Sequence, residues 1–171
     1  MELVETSFRQ AAIQDIPTIW KILQDAILRR KEEGSNQWQD GYPNLDTVEN
    51  DIQRELGYVL VYENDIIGYT AILINEEPAY QHIQGQWLTE DDFVVFHRVA
   101  IAEKYVGKGF AKIILDNIEQ LALSKQIYSI KADTNFDNLS MLHLFEKMGY
   151  SYCGEVMMRN SSRKAFEKVL R

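Results

Sequence analysis

The sequence predicts an α/β fold in a single domain, a mixed sheet covered by helices on both faces. Three observations predict it. Strand-like and helix-like runs follow the order strand, two helices, three strands, helix, strand, helix, two strands. Residues 93–101, FVVFHRVAI, are nearly all apolar, as a central strand buried on both faces should be. The length of 171 residues, with 46% hydrophobic and 26% charged, suits one compact domain better than two.

Each element has its own warrant. Residues 8–11 read as the end of a first strand. Asp15 stands where a helix cap is expected, with Pro17 tolerated in the first turn. Ile16, Ile19, Trp20, Leu23 and Ile27 recur at helical spacing and predict a buried face, and Gly34 marks the helix end. Residues 35–44, rich in turn formers, predict a loop. Val48, Ile52 and Leu56 give a second helix its apolar stripe. Residues 58–62 and 66–74 are β-branched and aromatic, with Asn64 and Asp65 between them as a tight hairpin turn. Residues 76–90 are polar and predict a long connection carrying a short irregular strand.

Beyond the apolar strand, residues 102–110 form a glycine-containing loop. A helix follows to about Ser124, with Ala111, Ile114, Leu115, Ile118, Leu121 and Ala122 on one face. Residues 127–132 predict a strand and residues 133–137 a loop. Residues 138–148 predict a helix stopped by Gly149. Residues 150–156 and 164–170 close as an antiparallel pair.

Composition limits the function classes. Eighteen Lys and Arg stand against 26 Asp and Glu, a formal charge of −8. Such a chain is repelled by nucleic-acid phosphates and anionic lipid, so neither is an expected partner. It can attract a cationic small molecule, although acidity is also an ordinary route to solubility. One cysteine, Cys153, leaves no internal disulfide and fits a reducing cytoplasm. Residues 1–9 lack the basic start and apolar run of a signal peptide. No stretch reaches the roughly 20 apolar residues of a membrane span. The expectation is a cytoplasmic protein. The sequence leaves its oligomeric state open, a homodimer included.

The strongest chemical signal is the strand–loop–helix unit at residues 93–122. Its loop, Tyr105, Val106, Gly107, Lys108, Gly109, Phe110 and Ala111, opens directly into a helix. Small residues let a backbone approach a ligand closely, and helix-start N–H groups attract phosphate. Lys108 and Lys112 add positive charge. The plainer reading is a glycine turn. A Walker A loop fails, because Gly107-Lys108 is followed by Gly109 rather than Ser or Thr. The dinucleotide fingerprint lacks its third glycine, where Lys112 stands, although Asp133 mimics the ribose-binding acid.

Residues 106–111 resemble the pyrophosphate loop of GNAT acetyltransferases, Arg/Gln-x-x-Gly-x-Gly/Ala. Gly109 and Ala111 match, and Val106 replaces the Arg or Gln. Val99, Ala100 and Ile101 resemble the family strand whose backbone pairs with pantetheine. Asn135-x-x-Asn138 and residues 144–150, LFEKMGY, resemble the family's second signature. The resemblance implies a GNAT-like fold, a mixed, mostly antiparallel twisted sheet flanked by helices. It implies acetyl-CoA as cosubstrate and transfer to a primary amine of a small molecule or peptide by direct attack. It also implies cofactor contacts from Val99, Ala100, Ile101, Val106, Gly107, Lys108, Gly109, Phe110, Ala111, Lys112, Asn135, Asn138, Phe145 and Lys147.

Amine acetylation makes clear physical demands. An alkylammonium titrates near ~10, so a base or water relay must free its lone pair. The thioester carbonyl becomes an oxyanion and needs an aimed N–H. The resemblance implies that donor near Val99 and a catalytic hydrogen bond from Asn138 to pantetheine, a role compatible with a plain helix cap. The family's frequent general-acid tyrosine is Phe145 here, which has no proton to give, and core packing is its plainer role. A thiolate of pKa near ~8.5 can leave unaided.

His97 is the base candidate, since serotonin N-acetyltransferases, which this region resembles in spacing, use histidines on the equivalent strand. Strand alternation places Val95, His97, Val99 and Ile101 on one face. The competing role is a core histidine. Trp38, Tyr42, Trp87 and Asp92 are the candidate substrate contacts, because aromatic walls beside a carboxylate suit an amine. Trp38 and Tyr42 can equally serve as loop anchors. Three dispersed histidines and one cysteine give no zinc spacing. Two other readings stand beside acetyl transfer. One is a non-catalytic CoA-binding or sensing module, and the other is a nucleotide-dependent oxidoreductase.

Overall fold

Pro17 sits in the first turn of α1 (Ile16–Glu32), where its missing N–H leaves no bond unmade. The computed structural model describes residues 5–171, so the expectation for the extreme N-terminus falls partly outside the described residues. The remaining elements are β1 (Thr6–Gln10), α2 (Leu45–Gln53), β2 (Gly57–Tyr62), β3 (Asp65–Ile74), β4 (Gln84–Gly85), β5 (Val94–Ile101), α3 (Phe110–Ser124), β6 (Ser129–Thr134), α4 (Leu139–Lys147), β7 (Ser151–Met158) and β8 (Ser161–Val169). Among the described residues the sheet has eight strands in the order β1-β2-β3-β5-β6-β8-β7-β4, and four helices flank it. β5 and β6 run parallel, with Val94 opposite Ile130 and Val95 opposite Lys131. The pairs β1–β2, β2–β3, β4–β7, β6–β8 and β7–β8 are antiparallel, which makes the sheet mixed.

Three local expectations need correction. Asp15 does not cap α1 with its side chain. Its carboxylate accepts instead from the Ala12 N–H at 2.7 Å and from the Arg9 guanidinium at 2.7 Å, closing the short turn before the helix. That pairing holds the Asp15 carboxyl below the usual carboxylate range. The β2–β3 turn is Glu63-Asn64, both at positive φ as a two-residue hairpin requires, and Asp65 already belongs to β3. β6 starts at Ser129, because the Ile127 N–H still bonds to the Ala122 carbonyl in the turn that ends α3.

The chain divides into two compact units. One takes the residues up to Ile72 together with Arg98–Asn117, and the other takes Leu73–His97 with Ile118–Arg171. In the first, Ile19, Ile22, Leu23 and Ala26 of α1 pack with Val48, Val59, Tyr69, Ala100 and Trp38. Full burial of each large aliphatic side chain contributes about 1.5–3 kcal/mol. In the second, Phe145 packs against Phe166, Tyr150 and Phe96 at ring separations of 4.8, 5.1 and 6.2 Å. Gly154 of β7 has to be glycine, since a Cβ there would lie 2.2 Å from the Gln84 carbonyl oxygen of β4.

Candidate active site

The glycine loop lies in the first unit. A 3₁₀ turn, Glu103–Tyr105, follows β5, and α3 begins at Phe110. Phe110 is buried against Tyr62 and Tyr105 at 5.5 and 5.6 Å, which fixes where the helix starts. Gly107 and Gly109 have φ of +78° and +87°, and nothing stands within 4 Å of where a Cβ would be. The protein therefore does not fill the space against this backbone. A backbone in that conformation, exposed at the start of a 15-residue helix, suits an anionic group. Val106 and Lys108 are exposed, and Lys112 is paired with Asp116 at 2.9 Å. Val99, Ala100 and Ile101 are buried, so the surface they can offer a ligand is mainly backbone.

Arg98, immediately before Val99, has φ +58° inside β5. Strict side-chain alternation stops at such a residue, so Val99 and Ile101 do not share the face of Val95 and His97 by counting alone. This corrects the single-face expectation. The Arg98 guanidinium forms a two-pronged pair with Asp51 of α2, Nε to Oδ2 at 3.0 Å and Nη2 to Oδ1 at 2.6 Å. Its Nη1 donates to the Tyr42 hydroxyl. The Tyr69 hydroxyl donates to Asp51 Oδ2 at 2.6 Å, and burial beside that carboxylate pushes the Tyr69 phenol well up.

Of the aromatic candidates in this unit, Trp38 is 6% exposed and carries the Arg30 guanidinium 3.9 Å above its ring. It anchors the loop at 35–44, and its edge lines a shallow groove of about 480 Å³ with Trp20, Ile27 and Leu28. Tyr42 is half-buried in the Arg98 network.

The second unit carries His97. Its Nε2 lies 2.8 Å from Glu77 Oε2, and both side chains are mostly buried. Where the Glu77 carboxylate is ionised it only accepts, and a neutral His97 ring then donates to it from Nε2. Glu77 also caps the 3₁₀ turn Pro78–His82, accepting from the Ala79 N–H at 3.4 Å. His82 and His143 are exposed, as expected.

Asn138 caps α4, its Oδ1 accepting from the Met141 N–H at 3.2 Å, and Asn135 bonds to Asp137 at 2.6 Å. Lys147 is exposed in the last turn of α4. Phe145 is 0% exposed in the aromatic cluster, so its side chain has no surface to offer a cofactor, and that expectation is corrected to core packing.

Trp87 donates from Nε1 to the Tyr80 carbonyl at 2.9 Å and faces the Lys131 ammonium 4.6 Å away. Asp92 accepts from Asn75 at 3.0 Å and is exposed. Asp133, the ribose-acid mimic, is consumed. Its side chain is 3% exposed, with the Tyr80 hydroxyl at 2.6 Å and Arg163 Nε at 2.7 Å. That removes the main support for the dinucleotide reading.

Glu77 and the Arg98–Asp51 pair were missed in the sequence. One signal for the pair was present, because a charge inside an apolar strand requires a buried partner. Among the described residues there is no His, Cys, Asp or Glu cluster that could hold a metal. None of their helices is long and apolar enough to cross a membrane.

Comparison with known proteins gives the family and the fold. A model of the acetyltransferase (GNAT) family matches residues 20–150. The chain is 21% identical over 146 residues to the uncharacterized N-acetyltransferase YesJ of Bacillus subtilis, covering 84% of this chain and 81% of that protein. It is similar to the crystal structure of a GNAT-family acetyltransferase from Streptococcus agalactiae, with a TM-score of 0.90, 29% identity and coverage of 97% and 96%. It also shares its fold with yncA, a putative acetyltransferase from Salmonella typhimurium solved with its cofactor acetyl-CoA. There the TM-score is 0.68, the identity 15% and the coverage 97% and 94%.

Proposed function

This chain belongs to the acetyltransferase (GNAT) family, and from that premise we propose that it transfers the acetyl group of acetyl-CoA to a primary amine by direct attack. Residues 1–171 are read as one such domain. The observation that carries the reading is the open backbone at Gly107 and Gly109, set at the start of α3. The residues there fit a pyrophosphate. Backbone N–H groups donate to it, and Phe110, packed on Tyr62 and Tyr105, fixes the helix start.

The acceptor nitrogen attacks the thioester carbon, the C–S bond breaks, and CoA leaves as the thiolate. The Val99 N–H is assigned to the developing oxyanion. The ammonium proton goes to His97, whose ring Glu77 orients. A thiolate needs little help to leave, which accommodates a buried phenylalanine in place of an acid. The formal charge of −8 and the exposed run Glu90, Asp91 and Asp92 favour a small cationic amine or a basic peptide terminus as acceptor.

Incubation with acetyl-CoA and an amine panel, read as free thiol and acetylated amine, is expected to show transfer with cationic acceptors first. Reaction confined to anionic or neutral amines contradicts the acceptor assignment. CoA binding with no transfer to any panel member favours a sensing module instead.

Gly109→Val tests the loop. A Cβ blocking one charge-assisted hydrogen bond, worth about 1.5–3 kcal/mol, should weaken CoA binding by roughly 10- to 100-fold. The φ of +87° adds a stability loss of only about 1–2 kcal/mol. Unchanged affinity in the folded fraction, by calorimetry, would make Gly109 a turn residue only.

A further inference from the structure

We propose that Arg98 is a positioning residue for the transfer, its buried anchor on Asp51 and Tyr42 fixing the left-handed turn in β5 that aims the Val99 N–H. The proposal rests on the assignment of Val99 as oxyanion donor.

The argument begins with the backbone. A non-glycine residue at φ +58° in mid-strand crowds its own Cβ against the following carbonyl. Such a conformation persists only when its surroundings over-determine it. The surroundings here are unusually complete. Asp51 is 1% exposed and receives two prongs of the guanidinium, and the Arg98 side chain is 10% exposed. The guanidinium is planar and rigid, so two bonds to one carboxylate fix its plane. A third bond, to Tyr42, fixes its remaining edge. The Tyr69 hydroxyl holds the carboxylate from the other side. Helix α2 and the loop at 35–44 thus bond directly to one residue of β5, and β3 braces the α2 carboxylate that holds it.

What that residue controls is the next peptide. Rotation about the Arg98 Cα–C bond swings the Val99 N–H, and an oxyanion donor acts only when aimed to within ordinary hydrogen-bond distance. A clamp built only for stability shows its loss as unfolding rather than as misdirected chemistry. Tyr42 adds a link of its own, since it belongs to the loop that was singled out for the acceptor.

The experiment titrates ¹⁵N-labelled protein with CoA and with acetyl-CoA and compares the Val99 amide signal. Wild type is expected to show a Val99 shift with acetyl-CoA that CoA does not produce. Arg98→Lys keeps the charge and loses the fork. It is expected to lose that difference and to lower kcat by roughly 10²-fold with the responsive panel amine, the scale of a lost oxyanion donor. Its CoA Kd should stay within about twofold, because the loop at 106–111 is untouched. Tyr42→Phe leaves the fork in place and serves if Arg98→Lys does not fold, with the same losses in smaller degree. An unchanged Val99 difference and unchanged kcat in the variant that folds, even with a lowered Tm, overturn the proposal and leave a structural clamp. If wild type itself shows no acetyl-dependent change at Val99, the donor assignment fails and the proposal falls with it.

Discussion

Replacing His97 by glutamine should lower kcat by roughly 100-fold or more, the range of a lost general base. The ring is a base only in its neutral form. Wild-type rate should therefore fall on the acid side of the pH profile, and the variant should lose that limb. Glutamine can keep a hydrogen bond to Glu77 across the 2.8 Å contact, so the fold is spared as far as a single substitution allows. CoA affinity should be nearly unchanged, since the glycine loop is untouched. A core histidine gives a different result. The Tm falls, and the pH profile of the folded enzyme keeps its shape. Measuring both on one preparation separates the two roles, and an unchanged profile removes His97 from the mechanism.

The second large effect concerns stability. Glu167 of β8 is 0% exposed. It accepts from the Leu88 N–H at 2.7 Å, the Thr89 hydroxyl at 2.5 Å and the Ser129 hydroxyl at 2.7 Å. Directly opposite in the β6–β8 register is Lys131, 4% exposed, with the rings of Phe93 and Trp87 at 4.1 and 4.6 Å. Burial pulls the Lys131 ammonium below its usual range, against the opposing pull of Glu167.

Glu167→Ala would leave the buried Ser129 hydroxyl and the part-buried Leu88 and Thr89 donors without their acceptor, and the Lys131 ammonium without its counter-charge. The expected loss is about 3–5 kcal/mol in urea unfolding. Glu167→Gln, which keeps an acceptor oxygen, should fall between. Amide exchange at Leu88 and Thr89 should rise with the loss. A change below about 1 kcal/mol for the alanine variant would mean that the lysine finds water or another partner.

The order of elements was legible because it is written in local pattern. The 3.6-residue recurrence in α1 and α3 and the β-branched runs of β2, β3 and β5 required nothing distant. Element ends were less legible, because they depend on single hydrogen bonds such as Ile127 to Ala122. The glycine loop was legible for the same local reason.

The long-range charged pairs were not. Glu77 lies 20 residues from His97, Asp51 lies 47 from Arg98, and Glu167 lies 79 from Leu88. No periodicity records such pairs. The one available cue is energetic, since Arg98 is a charge inside the apolar strand β5 and had to be compensated. Phe145 illustrates the converse, a motif position that the aromatic core absorbed.

The central claim is that the backbone at residues 106–111 holds the pyrophosphate of CoA. Thermal and urea unfolding with CoA, and separately with NAD, test it most directly. At 100 times its Kd, CoA should add about 2.7 kcal/mol of stability, and Gly109→Val should lose most of that gain. Stabilisation by NAD with none from CoA at millimolar concentration would contradict the claim.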